Sequence, residues 1–195
     1  MLTHVHGNLL NVSDLSRSIG VSSPTVASDL DVLEASFLVR RLQPYFPNVS
    51  KRFTKSPKLY VRDTGLLHHL AGLRTPRELD VWSRRGASFE GFVIEEIGAL
   101  AAANLVAPQL YFYRTHAGAE VDLLVVHGTR IIPIEIKLGA AFSRGDLAGM
   151  RSCLADLGLR RGFIVTGSGE RRSASPEIEI VPFPEIVAGR IDLFA

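Results

Sequence analysis

The stretch from Gly118 to Lys137 constrains this chain most, because charged residues there interrupt two apolar runs with strand character. A short turn at residues 127–129 separates the runs, so they predict a β-hairpin. A buried hairpin would then carry the carboxylates of Asp122 and Glu135 and the ammonium of Lys137. Burying unpaired charges is costly, and a divalent metal held by the two carboxylates would offset that cost.

Strand alternation predicts which of these side chains lie together, because successive residues point to opposite faces. Glu135 and Lys137 are expected on one face of the second strand, about 7 Å apart along it. One face of the first strand is expected to hold Glu120, Asp122, Leu124 and Val126.

An acid on one strand followed by acid-x-Lys on the next is the PD-(D/E)XK signature, here Asp122 and then Glu135-Ile136-Lys137. The chain resembles that nuclease superfamily, which has the fold of type II restriction endonucleases. The resemblance implies that the acids hold magnesium and that the lysine positions or activates the attacking water. Magnesium prefers carboxylate oxygens and often serves phosphate chemistry. Taken alone, Glu-x-Lys on a strand is more often an exposed or salt-bridged pair.

A strong helix is predicted directly after Ser88, its cap, with an apolar stripe that runs from Val93 to Ala101. Glu90 falls on the same stripe, so it is a candidate for the third acid of a metal site. The predicted catalytic residues are Glu90, Asp122, Glu135 and Lys137, of which the three acids are the predicted magnesium ligands. The alternative for Glu90 is a first-turn acid favoured by the helix dipole.

The N-terminal residues 1–65 predict a winged helix-turn-helix. A short helix with Ser13 as its N-cap is followed by a turn at Gly20 and by a second helix that begins near Ser22, with Pro24 in its first turn. A strand-like segment with a basic turn follows, as a wing would.

The second helix of this pattern carries Asp29, Asp31 and Glu34 but no Arg or Lys, so readout of guanine by arginine is not available to it. The winged helix is either a packing module or a region that meets nucleic acid through other basic residues. The candidate nucleic-acid contacts, including two residues near the predicted site, are Arg40, Arg41, Lys51, Arg52, Lys55, Lys58, Arg114 and His116.

The rest of the chain is predicted to hold an irregular connector, 66–86, and an α/β domain, 87–195. The expected domain has the αβββαβ order of the restriction-endonuclease-like fold. After its first helix it contains strands near 110–115, 120–126 and 130–137, a helix near 143–158, strands at 162–167 and 177–181, and a polar loop at 168–176.

A closer resemblance covers nearly the whole chain. PKLYVRDTGLLHHL, FEGFVIEEI, YFYRTHAGAEVDLLV and IPIEIK are similar to the C-terminal region of a family of bacterial and archaeal AAA-type P-loop ATPases. The resemblance implies a winged helix, a PD-(D/E)XK-like domain of largely unknown function, and an ATPase domain as partner in the full-length protein. The chain itself has no Gly-x-x-x-x-Gly-Lys-Ser/Thr motif, so it is either a fragment that begins after the ATPase or a truncated relative.

Three functions follow as expectations. The first is a magnesium-dependent DNA phosphodiesterase, and the second is a catalytically inactive domain of this fold that binds nucleic acid or a partner protein under control of an ATPase. The third, a transcription regulator, is disfavoured by the acidic second helix. A single cysteine excludes an intrachain disulfide framework, and no apolar run of membrane-spanning length occurs, so a cytoplasmic protein is expected, with the oligomeric state left open.

Overall fold

The computed structural model describes residues 1–46, 56–139 and 144–194 as a mixed α/β protein. Its helices and strands form two compact units. Unit 1 comprises Met1–Gln43 and Ser56–Phe92, and unit 2 comprises the described parts of Pro44–Lys55 and Val93–Ala195. Within the described residues, no helix is both long enough and apolar enough to cross a membrane.

Unit 1 combines short helices with a small antiparallel sheet. Its elements are α1 (Leu2–Val5), β1 (Asn8–Leu9), α2 (Val12–Ile19), α3 (Ser23–Ala35), β2 (Val39–Pro44), β3 (Lys58–Val61), α4 (Thr64–Leu70), α5 (Pro76–Val81) and the start of α6 (Arg85–Asn104). β3 is the middle strand, antiparallel to both β1 and β2, and is buried along its length. Leu15, Val26, Leu30 and Leu59 form part of the core between this sheet and the helices.

The two predicted helices near the N-terminus are present as α2 and α3. Asn11, not Ser13, caps α2, because its side chain accepts a hydrogen bond from the backbone N–H of Asp14. Gly20 ends α2 with a φ of 73°, a conformation that glycine adopts without steric cost. Ser22 caps α3, and Pro24 lies in the first turn, as predicted.

The segment predicted as an irregular connector is more regular than expected. It contains most of α4 and all of α5, and Thr75 and Glu78 form a reciprocal capping box at the start of α5. α6 begins at Arg85, so the prediction that Ser88 caps this helix was wrong. Ser88 lies inside α6 and is buried, with its hydroxyl 2.7 Å from the imidazole Nε2 of His68.

Unit 2 is built on a six-stranded mixed sheet with strand order β4-β5-β6-β7-β9-β8. Its further elements are β4 (Gln109–Arg114), β5 (Glu120–His127), β6 (Arg130–Lys137), α7 (Arg144–Leu157), β7 (Gly162–Thr166), β8 (Arg172–Ser175), β9 (Ile178–Pro182) and α8 (Phe183–Val187). β6, β7 and β9 run parallel, whereas the other neighbouring pairs are antiparallel. The predicted strands and helices of this region are all present, and β8 is an addition within the segment predicted as a polar loop.

Helix α7 covers one face of this sheet. Its residues Met150, Cys153 and Leu154 are buried against Leu124 and Ile164, among others. Gly149 allows the helix to come very close, because a Cβ there would lie 2.5 Å from the carbonyl oxygen of Glu120. The helix is therefore in backbone contact with the start of β5, two residues before Asp122.

Candidate functional site

Glu135 and Lys137 lie at the C-terminal end of β6, on one face of the strand as predicted. Glu135 is buried, and its Oε1 forms a 2.7 Å ion pair with the Nζ of Lys137. The Lys137 side chain is 30% exposed, whereas that of Glu135 is 7% exposed. The pair therefore joins a buried carboxylate to an ammonium at the surface.

Asp122 lies in an irregular part of β5. In the pairing with β4, Tyr111 stands opposite Leu124 but Tyr113 stands opposite Val121, so two residues of β5, Asp122 and Leu123, face the single residue between the tyrosines. This is a β-bulge, which adds one residue to a strand and reorients side chains.

The bulge corrects the predicted alternation along β5. Val121 and Leu124 enter the same core cluster, although residues three apart lie on opposite faces of a regular strand. Glu120 is consequently turned to the other face, where it pairs with Arg114 at 2.8 Å. The expectation that Glu120 shares a face with Leu124 was therefore wrong.

Asp122 and Glu135 are brought together by the hairpin of β5 and β6. Leu123 pairs with Ile134, so continuing this register by one residue puts Asp122 opposite Glu135. Side chains opposite each other on antiparallel strands have Cβ atoms about 4.5–5.5 Å apart. The Oδ2 of Asp122 also accepts a 3.0 Å hydrogen bond from the backbone N–H of Ile136, which holds this carboxylate against the backbone of β6.

Helix α7 contributes polar groups next to this pair. Tyr113 of β4 donates a 2.6 Å hydrogen bond to the Oδ2 of Asp156, and burial together with this bond raises the pKa of the tyrosine. Burial, reinforced by the negative charges of Asp156 and Glu135, raises the pKa of the Cys153 thiol. Cys153 therefore remains protonated at neutral pH and serves as a core residue, as its apolar helical setting predicts.

The loop from Thr115 to Ala119 joins β4 to β5 and carries the predicted contact His116, which is exposed. Thr115 organises this loop, since its Oγ1 accepts a hydrogen bond from Ala119 N–H and its carbonyl accepts one from Gly118 N–H. Arg114, also a predicted contact, is partly exposed and is bound to Glu120.

Glu90 lies in unit 1 and has partners that the sequence did not indicate. Its Oε1 accepts hydrogen bonds from Lys58 Nζ, at 3.0 Å, and from the hydroxyl of Tyr60. Lys58 was predicted to contact nucleic acid, but its side chain is only 4% exposed and forms an ion pair with Glu90. This burial and pairing disfavour a contact with a phosphate backbone, and the contact stays a prediction.

The other basic residues predicted to contact nucleic acid divide into three groups. Arg41 is held by Asp31 and Glu34 of α3, which also raise its pKa. Arg40 is partly exposed on β2. Lys51, Arg52 and Lys55 lie outside the described residues.

The pair of Asp122 and Glu135 suits a hard divalent cation, because Mg²⁺ is usually bound through one or two carboxylates, several waters and a substrate phosphate. Over residues 1–46, 56–139 and 144–194, no group of three or more His, Cys, Asp or Glu side chains forms a metal-binding cluster. The described site thus offers two carboxylates and one ammonium, and Glu90 as a third ligand stays a prediction.

Comparison with known proteins places the chain in a family. Residues 85–186, just over half of the chain, match a domain of unknown function, DUF4143, and residues 1–77 match another, DUF8612. The chain belongs to the DUF4143 family, a domain found in proteins associated with AAA-type ATPases.

The chain is also similar to two longer mycobacterial proteins. These are Uncharacterized protein Rv2008c of Mycobacterium tuberculosis and Uncharacterized protein Mb2031c of Mycobacterium bovis, each 41% identical over 98% of this chain. The match spans 42% of the length of each relative. No solved structure matches the chain.

Proposed function

We propose that unit 2 is a PD-(D/E)XK nuclease-like domain that hydrolyses phosphodiester bonds of DNA with the help of magnesium. The observation that carries this proposal is the pair of buried carboxylates, Asp122 and Glu135, on adjacent strands, with Lys137 at the strand end. The β-bulge at Asp122 adds support, because bulges are common next to active sites, where they reorient a side chain.

In this proposal Asp122 and Glu135 would hold the metal ion. When bound, the ion supplies a water of lowered pKa and stabilises negative charge on the transition state. Lys137, partly exposed and beside Glu135, orients the attacking water or meets the developing charge on the phosphate. The hydrogen bond from Ile136 N–H fixes the orientation of the Asp122 carboxylate against β6.

The test is cleavage of supercoiled plasmid and of single-stranded DNA with Mg²⁺ or Mn²⁺, and with chelator as the blank. Asp122→Asn should lower the rate by about 100-fold or more, the upper range for disturbing the surroundings of a catalytic metal. Lys137→Met should also lower it, whereas Asp192→Asn, which changes an exposed aspartate of the same unit, should not. Equal rates for all three variants would remove Asp122 and Lys137 from the chemistry.

A second readout does not depend on turnover. Mg²⁺ or Mn²⁺ should raise the melting temperature of the wild-type chain, because a ligand bound only to the folded state stabilises it. Asp122→Asn should abolish this rise, and Asp192→Asn should retain it.

We also propose an alternative, in which the same domain is catalytically inactive and binds nucleic acid or a partner protein under control of an AAA-type ATPase domain. The ion pair of Lys137 with Glu135 and the two-carboxylate composition of the described site favour this alternative. DNA binding that is retained in Asp122→Asn, with no cleavage by the wild type under any divalent metal, would support it over the nuclease.

For unit 1 we infer a winged helix, on the basis of the capped α2 and α3 pair and the antiparallel strands β2 and β3 that follow. Its acidic α3 favours a packing role over base readout, because its carboxylates would repel phosphate. Sequence-selective DNA binding that survives about 0.2 M salt would contradict this inference, since phosphate contacts weaken steeply with salt.

A further inference from the structure

An arginine-lined cavity of unit 2 is separate from the carboxylate pair. It has a volume of about 440 Å³ and lies at the edge of the sheet, where β7 begins and where β8 and β9 pair. Three arginines line it, Arg161, Arg171 and Arg172, and the serines of β8, Ser173 and Ser175, also border it. We call this the arginine cavity.

Two of these arginines converge on one carboxylate. Arg161 Nη2 contacts Oε2 of Glu179, and Arg171 Nε contacts its Oε1. The Glu179 side chain is 16% exposed, whereas the two arginines are 58% and 55% exposed. Glu179 therefore holds two guanidinium groups side by side at the surface, where their mutual repulsion would otherwise separate them.

The ionised state of Glu179 is consistent with this role. Burial acts to raise its pKa, but the hydrogen bonds from Arg171 and Arg161 outweigh burial and lower the pKa of the carboxyl. The guanidinium of Arg161 also lies 4.9 Å from the ring centre of Phe163, which restricts the orientation of that guanidinium.

The register of the sheet puts Glu179, which holds two arginines of the arginine cavity, on a different face from Glu135. Phe163 is aligned with Glu179, while Glu135 is aligned with Ile164, whose side chain packs toward α7. Because neighbouring residues of a strand point to opposite faces, Glu179 and Glu135 project to opposite sides of the sheet.

We propose that the arginine cavity binds a phosphate group of a ligand. Guanidinium groups match the oxygens of phosphate in geometry and charge, and two of them are already held together by Glu179. The cavity is lined by three arginines against Glu177 and Glu179, so its formal charge is +1 and favours an anion. Its volume lies in the range of small-ligand sites, about 300–1,000 Å³. This site does not depend on the nuclease activity proposed for Asp122 and Glu135.

The experiment is calorimetric titration of the full chain with sodium pyrophosphate, inorganic phosphate and a short single-stranded oligonucleotide, at matched ionic strength. Wild-type protein should bind pyrophosphate saturably. Arg161→Gln and Arg171→Gln should each weaken this affinity by about 10-fold, the effect of losing one hydrogen bond to a charged group. The matched control is Arg190→Gln, which removes another exposed arginine that pairs with a single carboxylate, Glu185, and which should leave the affinity unchanged.

A fourth variant separates ligand binding from a purely structural ion-pair cluster. Glu177→Gln should strengthen pyrophosphate binding by about 3-fold, because it removes a negative charge that borders the same cavity. If the arginine variants lose affinity for the oligonucleotide, a nucleic-acid backbone is the source of the phosphate. If they lose affinity only for pyrophosphate and phosphate, the ligand is a small phosphate compound. Absence of saturable binding by the wild type, or equal affinity in the Arg161, Arg171 and Arg190 variants, would overturn the proposal.

Discussion

Each unit pairs a lysine of a strand with a glutamate, but the number of carboxylates beside the lysine differs. In unit 1 the carboxylate of Glu90 accepts from Lys58 and Tyr60, and we call this the closed cluster. In unit 2 the carboxylates of Asp122 and Glu135 accompany one ammonium, that of Lys137, and we call this the open cluster. The formal charge is zero in the closed cluster and −1 in the open one.

The lysine side chains of the two clusters also differ in their exposed fraction. The lysine of the closed cluster is 4% exposed, and the lysine of the open cluster is 30% exposed. Removing one partner of a buried pair is strongly destabilising, because it leaves an uncompensated buried charge. The second carboxylate and the more exposed lysine make the open cluster the better candidate for chemistry.

The largest effect should come from breaking the closed cluster. Glu90→Ala leaves Lys58 as a buried charge without its carboxylate, so the free energy of unfolding should fall by about 3 kcal/mol or more. Denaturant unfolding of the whole chain measures this loss. The double variant Lys58→Met, Glu90→Leu removes both charges at similar volume and should recover most of the stability. If Glu90→Ala unfolds at the wild-type denaturant concentration, the closed cluster is not structural.

A pH-dependent loss of stability should follow from His6, whose ring lies 5.4 Å from the ring of Tyr60. Nδ1 of His6 accepts a hydrogen bond from Val61 N–H, so protonation at that atom must break the bond. Burial lowers the pKa of His6 from 6.5 to about 4, although its hydrogen bond to Ala87 acts in the opposite direction.

Because the folded-state pKa of His6 lies below its unfolded value, its neutral form supports the fold fully above pH 6.5. That support is lost as the pH falls from 6.5 to 4, by about 3 kcal/mol at most. Thermal unfolding across this pH range checks the loss. His6→Asn should flatten that part of the pH profile. The control, His69→Asn, changes an exposed histidine of the same unit and should leave the profile unchanged. Identical profiles for the two variants would exclude His6 as the cause of the pH dependence.

The smallest change in stability should come from the open cluster. Glu135→Gln keeps the shape of the side chain and removes the desolvation cost of a buried carboxylate, while Lys137 remains partly solvated, so the free energy of unfolding should change less than in Glu90→Ala. The same variant should lose the rise in melting temperature caused by Mg²⁺ or Mn²⁺. A stability loss as large as that of Glu90→Ala would abolish the distinction between the two clusters.

The sequence predicted regular elements well where apolar periodicity is strong. The bounds predicted for β6, 130–137, agree with the structure, and the helical stripe from Val93 to Ala101 is buried as expected. β8 was missed because Arg172–Ser175 has no apolar alternation, and its strand conformation comes from pairing with β9. Asn11 was missed as a cap because Ser13 offers the same capping chemistry two residues later.

The candidate site was predictable only in part. Glu135 and Lys137 could be predicted to lie on one face of β6, because side chains of a strand repeat with a period of two residues. The bulge at Asp122 depends on pairing with β4, and no local sequence signal marks it. The contacts of Glu90 depend on residues 30 and 32 positions away, Tyr60 and Lys58, so helix periodicity reveals a buried acid without revealing its partners.

The bulge divides β5 into two parts whose register with β4 differs by one residue. Before it, Val121 pairs with Tyr113 next to the loop at 115–119, whereas after it Leu124 pairs with Tyr111 of β4 and with Pro133 of β6. Insertions or deletions in that loop can therefore be absorbed at the irregular step, and the spacing between Asp122 and Glu135 would be preserved.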